Sequence, residues 1–576
     1  MRRGVVIVLI LIFCAMLASA GALVLFGMFV EPPVSVPQNA ALYMAVKTPL
    51  AEVEPADVFS QLVRREPTLS ELIDAIGKAK RDVRVKSLVF TPSTGGGLWA
   101  QSQDIRAALA DFKTSGKSLT AYLEFGGTQE YYLASVADRI IMMPAGQLDL
   151  TGVATYELFF RGALDKLGVQ PDLLHIGDYK TAANTFTEKS FTKAHREMSE
   201  SLNRDWYDEL VRVIAAGRRK TPEEVRAAID GGPYLADQAL KAGLIDRVAY
   251  EDQLDDEGPE KGTKRLEATN YYNAVVPSAS RIPGARIAVL YATGTISSGR
   301  SAPDGGSTGS ETFVEWLRKV RVDPSVRAIV VRVDSPGGSA IASEVMWREL
   351  MLTRDLKPLI VSMGDVAASG GYYIAVPAHT IVAEPGTLTG SIGVVTGKFV
   401  LGGAADKLGV GTGSVSDGKR AEIYSPFRPF SADERARVEE QMRTTYELFV
   451  SRVATGRRSS REKIDAVGQG RVWTGHQALE RGLVDELGGL GRAIRLAKER
   501  AKLDVTKDVD LVVYPQKPSL YDLFSNPITP GLTAAGAGAN LLFRRPEMRA
   551  LDAAGAAINR FRRGEMLALM PNVFVR

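Results

Sequence analysis

The sequence predicts an α/β protein built from two tandem copies of one domain, and three observations carry that prediction. Short strings recur at a constant interval. Asp165-Lys166-Leu167-Gly168-Val169 returns 241 positions later as Asp406-Lys407-Leu408-Gly409-Val410. The same interval joins Tyr131-Tyr132-Leu133-Ala134 to Tyr372-Tyr373-Ile374-Ala375, Val85–Val89 to Val326–Val330, and Gly96-Gly97 to Gly337-Gly338. Gln238-Ala239-Leu240 and Gln477-Ala478-Leu479 stand 239 apart, so the second copy has lost two residues. Each copy alternates apolar, β-branched runs with helix-like stretches, the pattern of a mostly parallel sheet buried on both faces. Finally, 576 residues exceed what one hydrophobic core spans.

The N-terminal stretch from Gly4 to Val30 holds no charged side chain. As a helix it reaches about 40 Å, enough to cross a hydrocarbon core of about 30 Å with tilt. Arg2 and Arg3 precede it, so the positive-inside rule keeps the N-terminus in the cytoplasm and sends the rest outside. One transmembrane helix over residues 1–30, in contact with membrane lipid through residues 4–30, is therefore expected. A cleaved signal peptide ending near Ala18-Ser19-Ala20 is the rival reading, but Leu23-Val24-Leu25-Phe26 prolongs the apolar run past that point.

Residues 31–280 form the expected first domain and 281–515 the second, with the acidic stretch 251–265 and the residues up to 280 as their connection. In the second, Ala328–Val333 reads as a strand that stops at Asp334-Ser335-Pro336-Gly337-Gly338, a helix follows through Met346, and Leu359–Ser362 is the next strand. Residues 516–576 match nothing in the first copy, and their Arg560-Phe561-Arg562-Arg563 suggests an irregular tail or a docking helix.

Composition narrows the function. Hydrophobic residues are 45% and charged residues 24%, as in a folded globular chain. A net charge of +4 over this length gives no ground for a nucleic-acid partner. One cysteine and four histidines exclude a disulfide framework and a Cys-ligated metal or cluster, and no cofactor is expected. Neither Gly-x4-Gly-Lys-Ser/Thr nor His-Glu-x-x-His occurs, and Ala367 breaks Gly-x-Ser-x-Gly.

The chemistry gathers at Met363-Gly364-Asp365-Val366-Ala367-Ala368-Ser369-Gly370-Gly371-Tyr372-Tyr373. One hydroxyl sits at a strand-to-helix junction among tiny residues, where unpaired N–H groups suit an oxyanion. An N-cap serine followed by turn glycines would write the same string. Asp334–Ser339 ends the preceding strand and should lie at the same sheet edge, where α/β sites are built. Thr389-Gly390-Ser391-Ile392-Gly393-Val394 could add a second hydroxyl there. A serine nucleophile needs a base. His175, His195, His379 and His476 have no motif around them, which leaves lysine, whose pKa of about 10.4 must fall by several units through burial.

The duplication, the anchor, Asp334–Ser339, Ala367–Gly371 and Gly390–Val394 together resemble the signal peptide peptidase A, or protease IV, family in its long form, over most of residues 45–515. The resemblance implies a Clp-protease/crotonase-like fold and a homo-oligomer, a tetramer, at the bacterial cytoplasmic membrane with its catalytic part outside. It implies a Ser–Lys dyad that hydrolyses hydrophobic peptides such as cleaved signal peptides. By the same comparison Ser369 is the nucleophile and Lys180 the base, Ser391 bonds that lysine, and the N–H groups of Gly338 and Gly370 form the oxyanion hole.

Lys419, at the corresponding place in the second copy, competes as the base, because single-copy relatives take theirs from that position. The first copy has Thr128 opposite Ser369, followed by Gln129-Glu130 in place of two glycines. If each domain's lysine reaches its neighbour's serine position, Lys180 meets Ser369, and Lys419 faces a site that has lost its chemistry and pairs with Glu422 or a nearby carboxylate. A crotonase-type acyl-CoA enzyme and a catalytically silent membrane scaffold remain as alternatives.

Overall fold

The computed structural model describes residues 16, 35–53, 66–254, 258–272, 274, 281–302, 305–516, 565–570 and 574–575. The expected anchor, residues 1–30, lies outside the described residues apart from Met16. Among the described residues no helix is long and apolar enough to cross a membrane.

Two sheets repeat one strand order. The first runs Tyr234–Leu235, Arg139–Asp149, Ser118–Gly127, Val85–Thr94, Ala40–Thr48, Lys264–Glu267. The second runs Val472–Thr474, Leu388–Gly390, Leu359–Ala368, Val326–Ser335, Arg281–Thr293, Asp508–Tyr514. In each, every neighbouring pair is parallel except the first. Parallel sheets need helices on both faces, which explains the unbroken apolar strands. In the second sheet Ala288, Leu290, Ile329 and Val331 enter the main core, while Ile287, Val289, Val330 and Ile360 pack on the other face under the helix Leu490–Arg500.

The helices repeat as faithfully. Lys193–Arg218 and Ala432–Arg457 are each 26 residues long. Thr192 and Ser431 cap their N-termini by accepting the backbone N–H three residues on. Both helices end at an arginine in the left-handed region, Arg219 and Arg458.

A third sheet joins the copies. Its order is Ser307–Gly309, Thr295–Ser297, Gly337–Ser339, Leu567–Leu569, Val394–Val400, Gln170–Ile176. Gln170–Ile176 thus leaves its own copy's sheet and runs antiparallel to Val394–Val400 of the other.

Two sequence expectations are corrected here. The stretch expected as a connection is built into the first copy. Glu260 is buried against Arg139, and Lys264–Glu267 pairs with Ala40–Thr48 as the edge strand, the counterpart of Asp508–Tyr514 in the second copy. Its acidic composition hid a strand that needs only Leu266 to point inward. The tail, expected to be irregular or a docking helix, contributes the strand Leu567–Leu569 to the joining sheet.

Candidate active site

The nucleophile candidate sits where Leu359–Ala368 gives way to the helix Gly370–Ala375. Ser369 has φ 55° and ψ −112°, an uncommon backbone for a residue with a Cβ, and its side chain makes no cap hydrogen bond. It stands at the N-cap position without acting as a cap. Parallel pairing of Ala367 with Thr389 and Ala368 with Gly390 releases Ser369 and Ser391 side by side from adjacent strands. Ser369 N–H donates to the Gly390 carbonyl at 2.8 Å, and Ser391 N–H to the Arg471 carbonyl at 2.7 Å, which ties both turns down.

The Gly-rich turn of the neighbouring strand closes on the same point. Gly338 has φ 155°, and a Cβ on it would lie 2.1 Å from the Ile296 carbonyl oxygen. A Cβ on Gly370 would lie 2.7 Å from Ser343 Oγ and 3.2 Å from Gly338 N. Only glycine permits both approaches. The Gly-rich turn and the start of the helix are thereby brought into backbone contact beside Ser369.

Lys180 arrives from the other copy. The antiparallel pairing of Gln170–Ile176 with Val394–Val400 carries the chain to Gly177, and Tyr179 N–H then donates to the Gln469 carbonyl at 2.8 Å. Lys180 is completely buried. Its Nζ lies 2.8 Å from Ser369 Oγ, 2.8 Å from the Ser391 carbonyl oxygen and 3.0 Å from Ser391 Oγ. Burial holds its pKa well below the ordinary lysine value, and no carboxylate acts against that shift.

The other candidates lie elsewhere. Lys419 is exposed and bonds Asp433 at 3.2 Å, while Glu422, the partner offered by the sequence, takes Arg428. His175 and His379 bond backbone groups, His476 bonds Asp205, and His195 is buried beside Glu157.

Behind the site lies a buried charge cluster that sequence reading missed. Arg332 binds Glu52 at 2.9 and 3.0 Å and Asp104 at 2.9 Å, both in the first copy. Asp365, four residues before Ser369, accepts from Gln101 N–H at 3.1 Å, at the start of the helix Ala100–Lys113. Burial raises the pKa of Asp365 and of nearby Asp334, and Glu52 adds to both shifts. A single arginine in the middle of an apolar strand was the only signal available.

The chain matches Peptidase family S49 twice, over residues 111–261 and 352–504. The chain belongs to peptidase family S49. The S49 match begins at the same 241-residue interval as the internal repeat. Among curated relatives, this S49 peptidase is 36% identical to "Serine protease SPPA, chloroplastic" of Arabidopsis thaliana over 77% of this chain and 67% of that protein. It is 35% identical to "Protease 4" of Salmonella typhi over 82% of this chain and 77% of that one. It is 32% identical to "Protease 4" of Haemophilus influenzae over 77% and 75%. The resemblance read from the motifs is thus shown, and with it a serine protease of the S49 family.

Proposed function

We propose that this S49 protein is a membrane-anchored peptidase that hydrolyses hydrophobic peptides, cleaved signal peptides among them, with Ser369 as nucleophile and Lys180 as base. The observation that carries the reading is the 2.8 Å contact between Lys180 Nζ and Ser369 Oγ in a buried site without a carboxylate.

A neutral lysine amine has two N–H donors and one lone pair. The Ser391 carbonyl and Ser391 Oγ take the donors, which leaves the lone pair for the Ser369 O–H. The amine takes the proton as Oγ attacks the peptide carbonyl. The N–H groups of Gly338 and Gly370 hold the oxygen as it becomes negative. The lysine ammonium then protonates the leaving amine, and water activated by the same amine releases the acyl group.

An acyl-CoA enzyme of the crotonase type would have no use for a serine hydroxyl fixed against a buried lysine. The apolar stretch 4–30 would hold the protein at the bacterial cytoplasmic membrane as one spanning helix, with the catalytic part outside. Copies of the chain would assemble as a tetramer.

The deciding experiment is covalent labelling of the purified protein by a serine-reactive fluorophosphonate, mapped by mass spectrometry. Modification of Ser369 that disappears in Lys180→Met supports the dyad, and a modified serine elsewhere overturns it. Removal of residues 1–30 should give a soluble and active protein. Insolubility would place the membrane contact elsewhere.

A further inference from the structure

The turn that carries Lys180 to the second copy is gripped there by a single loop, residues 468–473. Tyr179 N–H donates to the Gln469 carbonyl, and Gly470 N–H to the Ile392 carbonyl at 2.7 Å. A Cβ on Gly470, whose φ is 78°, would lie 2.5 Å from Lys180 N, Cα and Cβ. One on Gly177 would lie 2.4 Å from the Gln469 carbonyl carbon. The two segments therefore run in direct backbone contact, which glycine alone allows at these two points.

Arg471 belongs to this loop and holds both sides of the base. Its carbonyl accepts the Ser391 N–H at 2.7 Å, and Ser391 in turn takes two hydrogen bonds from Lys180 Nζ. Its guanidinium lies over two rings, 4.5 Å from each of the Tyr179 and Trp473 centroids. Its Nη1 donates to Glu197 Oε1 at 2.8 Å, and the Tyr179 hydroxyl reaches the same carboxylate, 3.1 Å from each oxygen. Trp473 is fixed in its turn, because its indole N–H donates to the Val467 carbonyl at 2.9 Å. Tyr179 is thus held by its N–H, its ring and its hydroxyl, one residue before Lys180.

The first copy lacks this arginine. At the 239-residue interval that relates the copies in this region, Arg471 falls on Gly232 and Trp473 on Tyr234. The arginine therefore stands only in the copy that receives the buried lysine.

We infer that Arg471 is a positioning residue for the base: its guanidinium locks Tyr179 and its carbonyl locks Ser391, so that Lys180 Nζ stays against Ser369 Oγ. The inference rests on the reading of Ser369 as nucleophile and Lys180 as base given above. Arg471 acts through its neighbours, so its effect falls on activation of the serine rather than on binding of substrate. Burial alone lowers the pKa of Lys180, and a loosened turn that admits water should return it toward the ordinary lysine value.

The test uses the full-length chain. Arg471→Met removes the cation and its plane, whereas Arg471→Lys, a milder change, keeps the charge for Glu197 without the planar group. In Arg471→Met, kcat for an unstructured apolar reporter peptide should fall about 10–100-fold, with KM within about threefold of the unaltered chain. Arg471→Lys should show the same split with a smaller loss. Activation of the serine is read separately, without any peptide, as the rate at which a fluorophosphonate labels Ser369. That rate should fall in both variants, and its rise with pH should move to higher pH. An unchanged labelling rate and an unmoved pH profile in a variant that still melts cooperatively would make Arg471 a purely structural residue and overturn the inference. Arg471→Lys gives that reading if Arg471→Met does not fold. Slowed labelling in the variants, with no peptide hydrolysis by any chain, would leave the inference standing and bring down the peptidase reading instead.

Discussion

The two copies hold the same cleft in two conditions. In the first, Gly96 and Gly97 keep the positive φ angles of Gly337 and Gly338, at 72° and 157° against 98° and 155°. The turn that should supply the chemistry has changed. Thr128 lacks the positive φ of Ser369, and its Oγ1 donates to the Gly152 carbonyl at 3.0 Å. Gln129 donates its side-chain amide to the Gly97 carbonyl at 2.8 Å, and Glu130 accepts from Thr94 N–H at 2.7 Å. A cavity of about 600 Å³ remains there, lined by Trp99, Thr128 and Glu130 among others. In the second copy Ser369 keeps its positive φ, Lys180 is buried against it, and Leu567–Leu569 pairs with Gly337–Ser339. Backbone strain persists only where the surroundings over-determine it, and here that condition holds in one copy alone. The first copy is relaxed at this turn, while its Lys180 lies against Ser369 of the second.

Ser369→Ala should lower peptide hydrolysis by about 10⁴-fold or more in a steady-state assay. Restoring the first copy's motif in that background, with Thr128→Ser and Gln129→Gly, should not recover it, because the lysine of matching position, Lys419, is exposed and bonded to Asp433. Recovery would make the first copy a dormant site.

Lys180→Met should cost about 10²–10⁴-fold in kcat/KM. The same change should raise thermal stability at neutral pH. Burial lowers the folded pKa of Lys180, so between that value and the unfolded pKa of about 10.4 the unfolded state binds a proton that the folded state does not. Stability therefore rises with pH across that window, and the penalty, about 1.4 kcal/mol for every pH unit the window spans, disappears above it. Calorimetry from pH 7 to 10.5 should show this slope in the unaltered chain and a reduced one in Lys180→Met. By the same reasoning kcat/KM should climb with pH to a plateau, with an apparent pKa below the usual lysine range, because only the neutral amine accepts the proton.

Arg332→Met leaves Glu52 and Asp104 buried without their cation and should cost about 3–5 kcal/mol in denaturant unfolding. The loss should be felt by both copies, since the cluster spans them. Lys419→Met should change kcat/KM by less than about twofold, because water and salt screen an exposed ion pair. A dead Lys419→Met beside an active Lys180→Met would reverse the assignment of the two lysines.

The duplication, the α/β alternation and the small-residue turn around Ser369 can be read from the amino-acid string alone. These are local properties: a constant interval, a run of apolar residues between turn residues, and a hydroxyl among residues too small to obstruct a close approach. It also placed the turn Asp334–Ser339 at the same sheet edge as Ser369, since consecutive parallel strands deliver their C-terminal turns to the same side. What needed the tertiary structure was every pairing between distant parts of the chain. Lys180 and Lys419 look alike as strings. Only the crossing of Gln170–Ile176 onto Val394–Val400 buries one beside Ser369 and leaves the other in solvent. Arg332 with Glu52 and Asp104, the edge strand Lys264–Glu267 inside an acidic stretch, and the strand Leu567–Leu569 were equally invisible. The physical reason is common to all of them. Burial of a charge and addition of a strand to an edge depend on what the rest of the chain brings alongside, and a few residues carry no periodicity from which that neighbour can be read.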